Sequence, residues 1–172
     1  MNFLVKLFLI FVLFIFSLIV FLPKEQLFYQ FEKLLLKKEI IVSNELSKDK
    51  FFYLVIENPD VFYKKILSTN IEKVQFYSYL LFTKVNIENI FVSKSFRDYL
   101  PKSIENLTLS HSILDFKNIN INSSGKFGRL SGSYNIFNKK IKLELKPSNS
   151  VDLSFLRRFK EKEGRYIFEQ SF

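Results

Sequence analysis

Hydrophobic positions change their period three times along the chain, and each change marks a new kind of element. From Phe3 to Leu22 the run FLVKLFLIFVLFIFSLIVFL is apolar apart from Lys6 and Ser17. A helix of about twenty residues rises about 30 Å, the thickness of a bilayer's hydrocarbon core, so this stretch predicts a transmembrane anchor over 1–22. Lys6 lies near enough to the end to snorkel, and Pro23 stops the span. The exit Ile19-Val20-Phe21-Leu22-Pro23 lacks the small residues of a signal-peptidase site, which favours an uncleaved anchor over a cleaved signal.

Residues 23–38 then place Leu27, Phe28, Phe31, Leu34 and Leu35 on one face, the spacing of an amphipathic linker helix. Beyond it, 39–172 reads as one β-rich domain. Phe51 to Ile56 is a strand, and Asn58-Pro59 is expected to open a short helix that turns Val61, Phe62 and Ile66 inward. Ile71 to Val92 is β-favouring, with a phase shift that predicts a bulge or turn near Asn89.

The clearest alternation comes later. Leu107, Leu109, His111 and Ile113 alternate with Thr108, Ser110 and Ser112. Turn chemistry follows at Ser123-Ser124-Gly125-Lys126, then Leu130, Gly132, Tyr134 and Ile136 share a face, Asn138-Lys139 reverses the chain, and Ile141, Leu143 and Leu145 alternate with charged residues. Two hairpins result, giving an antiparallel meander that must bury its apolar side against a helix, itself, a partner or lipid. Val151 to Lys160 forms a short helix capped by Ser150 with Asp152 in its first turn, Gly164 stops it, and Arg165 to Phe168 adds a last strand. The fold class is therefore mainly β: a membrane helix followed by a curved antiparallel sheet, a meander or half-barrel, with a few short helices.

Composition adds little chemistry. The 172 residues carry a net charge of +9, which permits contact with anionic lipid or nucleic acid without requiring either. With 22 Phe and 8 Tyr, an unusual share of the apolar volume is aromatic. Zero cysteines exclude disulfides, thiol catalysis and thiolate metal sites. The lone histidine, His111, falls on the apolar side of its strand, where a core imidazole is the ordinary outcome. No nucleophile-elbow, zincin or phosphate-loop motif occurs, so no catalytic, cofactor-binding or metal residue is assigned, and an enzyme is not expected. Gly125-Lys126-Phe127-Gly128 matches the G-x-x-G of a KH loop but lies between strands rather than helices, which argues against nucleic acid. Asn106-Leu107-Thr108 and Asn122-Ser123-Ser124 are sequons of a kind frequent by chance.

The charge flanks of the apolar run are ambiguous: Lys24, Lys33, Lys37 and Lys38 follow it and favour a cytoplasmic C-terminal part, whereas a signal-anchor with so short an N-terminal flank usually directs the remainder outward.

Gly128-Arg129-Leu130-Ser131-Gly132-Ser133-Tyr134, the stretch KIKLELKPS from Lys140 to Ser148, and FLRRFKEKEGRYIF from Phe155 to Phe168 resemble the end of the bacterial type II secretion protein N family, which is distantly AsmA-like. The likeness covers about 45 residues plus the anchor; residues 40–100 are not aligned by it. It implies a single-pass inner-membrane protein with a periplasmic β-rich domain, acting without chemistry through contacts with other proteins of a secretion, pilus or DNA-uptake apparatus. The alternative is an AsmA-like lipid-handling or envelope-homeostasis protein whose aromatic concave face shelters acyl chains. The family carries no catalytic residues, so Gly128, Gly132, Tyr134, Pro147 and Gly164 are expected to be structural.

Overall fold

A computed structural model describes residues 2–21, 23–79, 81–148, 153–162 and 164–172. Two helices come first, α1 (Phe3–Val20) and α2 (Lys24–Leu36). Twelve strands follow: β1 (Ile40–Ser43), β2 (Leu46–Asp49), β3 (Leu54–Glu57), β4 (Asp60–Tyr63), β5 (Ile66–Tyr79), β6 (Phe82–Val92), β7 (Ser103–Ser112), β8 (Asp115–Gly125), β9 (Gly128–Asn135), β10 (Lys140–Pro147), β11 (Lys160–Lys162) and β12 (Arg165–Ser171). All twelve belong to one antiparallel sheet, ordered β1-β4-β5-β6-β7-β8-β9-β10-β12-β11, with β2 on β3 and β3 also on β5. The first and last strands of that order do not pair, so the sheet is open. The mainly β meander is thus as the alternations indicate.

Helix α1 runs about 27 Å at the standard rise, short of an average hydrocarbon core. Among the described residues no helix is long and apolar enough to cross a membrane. Large apolar side chains nevertheless project from α1 on every side, from Phe3 through Leu18. An all-round apolar surface has no solvated face to turn to water. Phe16 alone has a ring partner from the sheet region, Phe52, at 6.3 Å in an edge contact. Helix α2 packs instead on β1 and β2. Its first residue, Lys24, is 2% exposed and paired to Asp49.

Several local readings are corrected. The expected helix after Asn58 is strand β4: Asn58 takes a left-handed φ of 54° that interrupts the strand without reversing it, and β3 and β4 run on in one direction along β5, with Val61 and Phe62 pairing with β1 and β5. Near Asn89, the place of the expected bulge or turn, the chain does not turn: Asn89 is a left-handed residue, φ 52°, inside β6. The turn expected at Ser123 to Lys126 lies later, because Ser123, Ser124 and Gly125 are still strand. Leu153–Arg158 is a 3-10 turn; Ser150 and Asp152, expected to start it, lie outside the described residues.

Candidate apolar binding face

Pairing register aligns the alternations of successive strands into rows across the sheet. One row reads Leu54, Phe76, Val85, Leu109, Ile121, Gly132, Leu143, Phe168, each residue opposite the next on eight successive strands. Two residues along, a second reads Ile56, Val74, Ile87, Leu107, Ser123, Leu130, Leu145, Tyr166. Because side chains alternate across a pleated strand, both rows project from the same face. The row between them, Val55, Gln75, Asn86, Thr108, Asn122, Ser131, Glu144 and Ile167, projects from the other and is polar except at its two ends. At strand spacings of about 4.8 Å the apolar band is about 34 Å long.

Little covers it. Burial concentrates at the band's two ends, in Leu54 and Ile56 on β3 and in Leu145 beneath the 3-10 turn, where Phe127, Phe155 and Leu156 close over the sheet with Ile104, Leu130, Phe159 and Tyr166 around them. Phe155 meets Phe127 edge-on at 6.3 Å and Phe159 at 6.4 Å. Between these ends Val85, Ile87, Leu107, Leu109, Ile119 and Ile121 stay only half-buried, and the helices contact only β1 and β2 to any extent. Among the described residues a mostly aliphatic strip is left without a second layer, contrary to the usual two-layer solution. Ser123 interrupts it with a buried hydroxyl that makes no hydrogen bond among the described residues.

The opposite face is laced with polar pairs. Thr108 donates to Asn86 at 3.1 Å, Asn135 to Asn118 at 3.0 Å, and Asn118 to Asp115 at 2.9 Å. Near β3 it turns aromatic: Tyr53 stacks on Tyr77 at 4.9 Å, and burial, then the neighbouring Tyr53 and Tyr79, push the Tyr77 hydroxyl above its ordinary value. The groove between α2 and β1, of about 400 Å³, is lined by Tyr29, Glu32, Lys33, Leu36 and Val42. Burial there, followed by the charge of Glu45 and a hydrogen bond to it, raises the Glu32 carboxyl above the usual range.

The residues singled out from sequence fall mostly along this sheet. Tyr134 lies on the apolar face between Ile119 and Ile141. Gly132 lies in the first row, Gly128 pairs Gly125 and Pro147 at the far hairpin with φ 119°, and Gly164 has φ 71°. The G-x-x-G segment is that hairpin, with Phe127 folded into the core. His111 is on the apolar side but half-exposed rather than enclosed; its Nε2–H donates to the Phe116 carbonyl at 3.2 Å. No group of three or more potential metal ligands forms among the described residues. Sequence reading did not find Ser123 as an orphaned hydroxyl, nor β8, which supplies Ile119 and Ile121; its Asn-rich composition hides both.

No protein family, curated protein or solved structure matches the chain.

Proposed function

We propose that the protein is a membrane-anchored, non-enzymatic lipid-handling component of the bacterial envelope, whose uncovered aliphatic band shelters acyl chains. The band itself carries this reading: a strip about 34 Å long, two mostly apolar rows wide and backed by a polar opposite face, is long enough to seat an extended acyl chain and has the chemistry to shelter it. Burying even part of it against acyl methylenes is favourable at about 0.8 kcal/mol per CH₂. α1 supplies the anchor in an inner membrane, with the sheet on the periplasmic side; its shortfall of about 3 Å is made good by local thinning of the bilayer and snorkelling of Lys6.

A second reading draws on the C-terminal resemblance: an accessory of a type II secretion or related DNA-uptake or pilus apparatus, using the same band for protein contacts. One experiment separates the two. Benzoylphenylalanine is placed at Leu109, at Ile121 or, as a polar-face control, at Asn120, and the full chain is irradiated in native membranes. Lipid adducts from Leu109 and Ile121 but not Asn120 are expected. Adducts to a protein from the same two positions would establish the accessory reading in its place, and no adduct from either would end both.

A further inference from the structure

Every hairpin turn at one end of the sheet carries large apolar side chains into solvent. β5 and β6 are joined there at Leu81, β7 and β8 at Ile113-Leu114, β9 and β10 at Ile136-Phe137, and β12 ends there at Phe172. Leu114 is 97% exposed. These tips form one rim, because the Ile113 N–H donates to Leu81 at 3.0 Å, Ile136 to Lys117 at 2.8 Å and Phe172 to Lys139 at 3.0 Å. Phe116 and Phe137 meet edge-to-face across it at 5.8 Å. The opposite end is more mixed: its turns include Lys64-Lys65 and Lys126-Phe127, with Phe127 buried, while Tyr99 and Leu100 of the β6–β7 connection are exposed.

We infer that this rim is a second membrane contact, seated at the headgroup level of the bilayer that holds α1. Three observations converge on lipid as the occupant. First, α1 arrives at the same end, since Phe16 touches Phe52 just before β3, and β3 begins level with Phe76 near the end of β5. Phe16 lies one turn before the end of α1, so Phe52 is placed about 6 Å down the helix from its exit. Second, the rim mixes aromatic and aliphatic tips with the exposed cations Lys50, Lys117 and Lys139, the Lys117 ammonium standing 5.7 Å over the Phe116 ring. That pairing suits an interface where apolar groups dip below phosphates. Third, the 3-10 turn covers the sheet at the ends of β8, β9 and β10 away from the rim, so the row Leu109, Ile121, Leu143, the nearer of the two to the rim, is left uncovered on the rim side. Lipid leaving the bilayer at the rim would meet hydrocarbon-like surface at once. The inference rests on the anchored reading for the position of α1, and its test separates the two.

The chain contains no tryptophan, so single reporters can be introduced as Leu114→Trp, Phe137→Trp and, at the far hairpin, Lys126→Trp in the full-length protein. Each is reconstituted in vesicles of phosphatidylcholine with phosphatidylglycerol, floated on a density gradient, and quenched with shallow doxyl-labelled lipid or aqueous iodide. The expected result is flotation, with blue-shifted emission and loss of most intensity to doxyl lipid for L114W and F137W, and iodide quenching alone for K126W. Flotation with L114W and F137W as open to iodide as K126W overturns the rim contact and leaves the anchor. Failure to float overturns both.

Discussion

The Lys24 ammonium lies 3.4 Å from a carboxylate oxygen of Asp49, and the lysine is 2% exposed while the aspartate is 45% exposed. A cation at the first position of α2 opposes the helix dipole, so it is held there by the sheet rather than by its own helix. The pair joins the turn between the helices to the end of β2, and with the Ser47 hydroxyl donating to Glu25 at 3.3 Å it fixes where α1 leaves the sheet. Its two partners should respond unequally. Asp49→Asn leaves a buried cation with a weaker partner and is expected to cost about 1–3 kcal/mol, whereas Lys24→Met leaves a carboxylate that water can reach and costs less. Urea unfolding of the full chain in detergent micelles gives the order; equal midpoints would mean that the pair is energetically idle.

At Gly132 the two strands of the β9–β10 hairpin approach closely. A Cβ there would collide with the Lys142 carbonyl oxygen and stand 2.9 Å from Cδ2 of Leu143. Gly132→Ala must part the strands, for a loss of about 2–3 kcal/mol. Gly164→Ala meets open space and carries only the strain of φ 71°, about 1 kcal/mol. The predicted order of unfolding midpoints is wild type, then Gly164→Ala, then Gly132→Ala.

Acid should tighten the seat of α2. The raised Glu32 carboxyl holds its proton more firmly in the folded chain than in the unfolded one, chiefly through burial and then through Glu45. Stability from this group is therefore fully present below the ordinary value of 4.5 and is lost as pH rises through the raised one. Glu32→Gln should remove that loss and melt higher at neutral pH. Glu169 has the opposite sign: hydrogen bonds from Lys140 and Lys142 lower it, so its contribution is present above 4.5 and lost as pH falls through its lowered value. Because the carboxylate is open to solvent, that contribution should also fade in high salt. Melting curves across the acid range, with and without salt, distinguish the two carboxylates.

Ser123 places a hydroxyl where the second row is otherwise almost wholly aliphatic, and it makes no hydrogen bond among the described residues. Ser123→Val removes a desolvated donor and adds a β-favouring side chain, and is expected to stabilise by about 1 kcal/mol. A fall in the unfolding midpoint would show that the hydroxyl is satisfied in solution.

Phe155 closes the far end of the band with Phe127 and Leu156 over Leu145. Phe155→Ala should cost about 3 kcal/mol through the cavity it leaves. Hydrogen exchange should then rise first in β9, β10 and β12, while β5 and β6 keep their protection.

Much of the sheet was legible because half-buried strands write their two faces into alternate residues. Ile141, Leu143 and Leu145 against Lys140, Lys142 and Glu144 needed no other information, and neither did Leu107 and Leu109. β8 was not legible, since DFKNININSSG offers only Ile119 and Ile121 as inward residues and its strand character comes from ladders on both sides. β4 was misread because Asn58-Pro59 suits a helix start as well as an interruption within a strand; the left-handed φ of Asn58 and the ladder to β5 on both sides of it decided the matter. The apolar band lay one step further from the sequence. Each strand announces its own face, but whether Leu109 meets Ile121 and Ile121 meets Gly132 depends on turn lengths and register.

An open sheet has terminal strands with hydrogen-bonding groups to offer, and the two ends of this one are finished differently. β11 is three residues long, Lys160, Glu161 and Lys162, all exposed and all charged, a composition that repels another strand. β1 is neutral and β-branched, Ile40 to Ser43, and is shielded by the packing of α2. On that side the exclusion of a further strand depends on a helix keeping its place beside one strand.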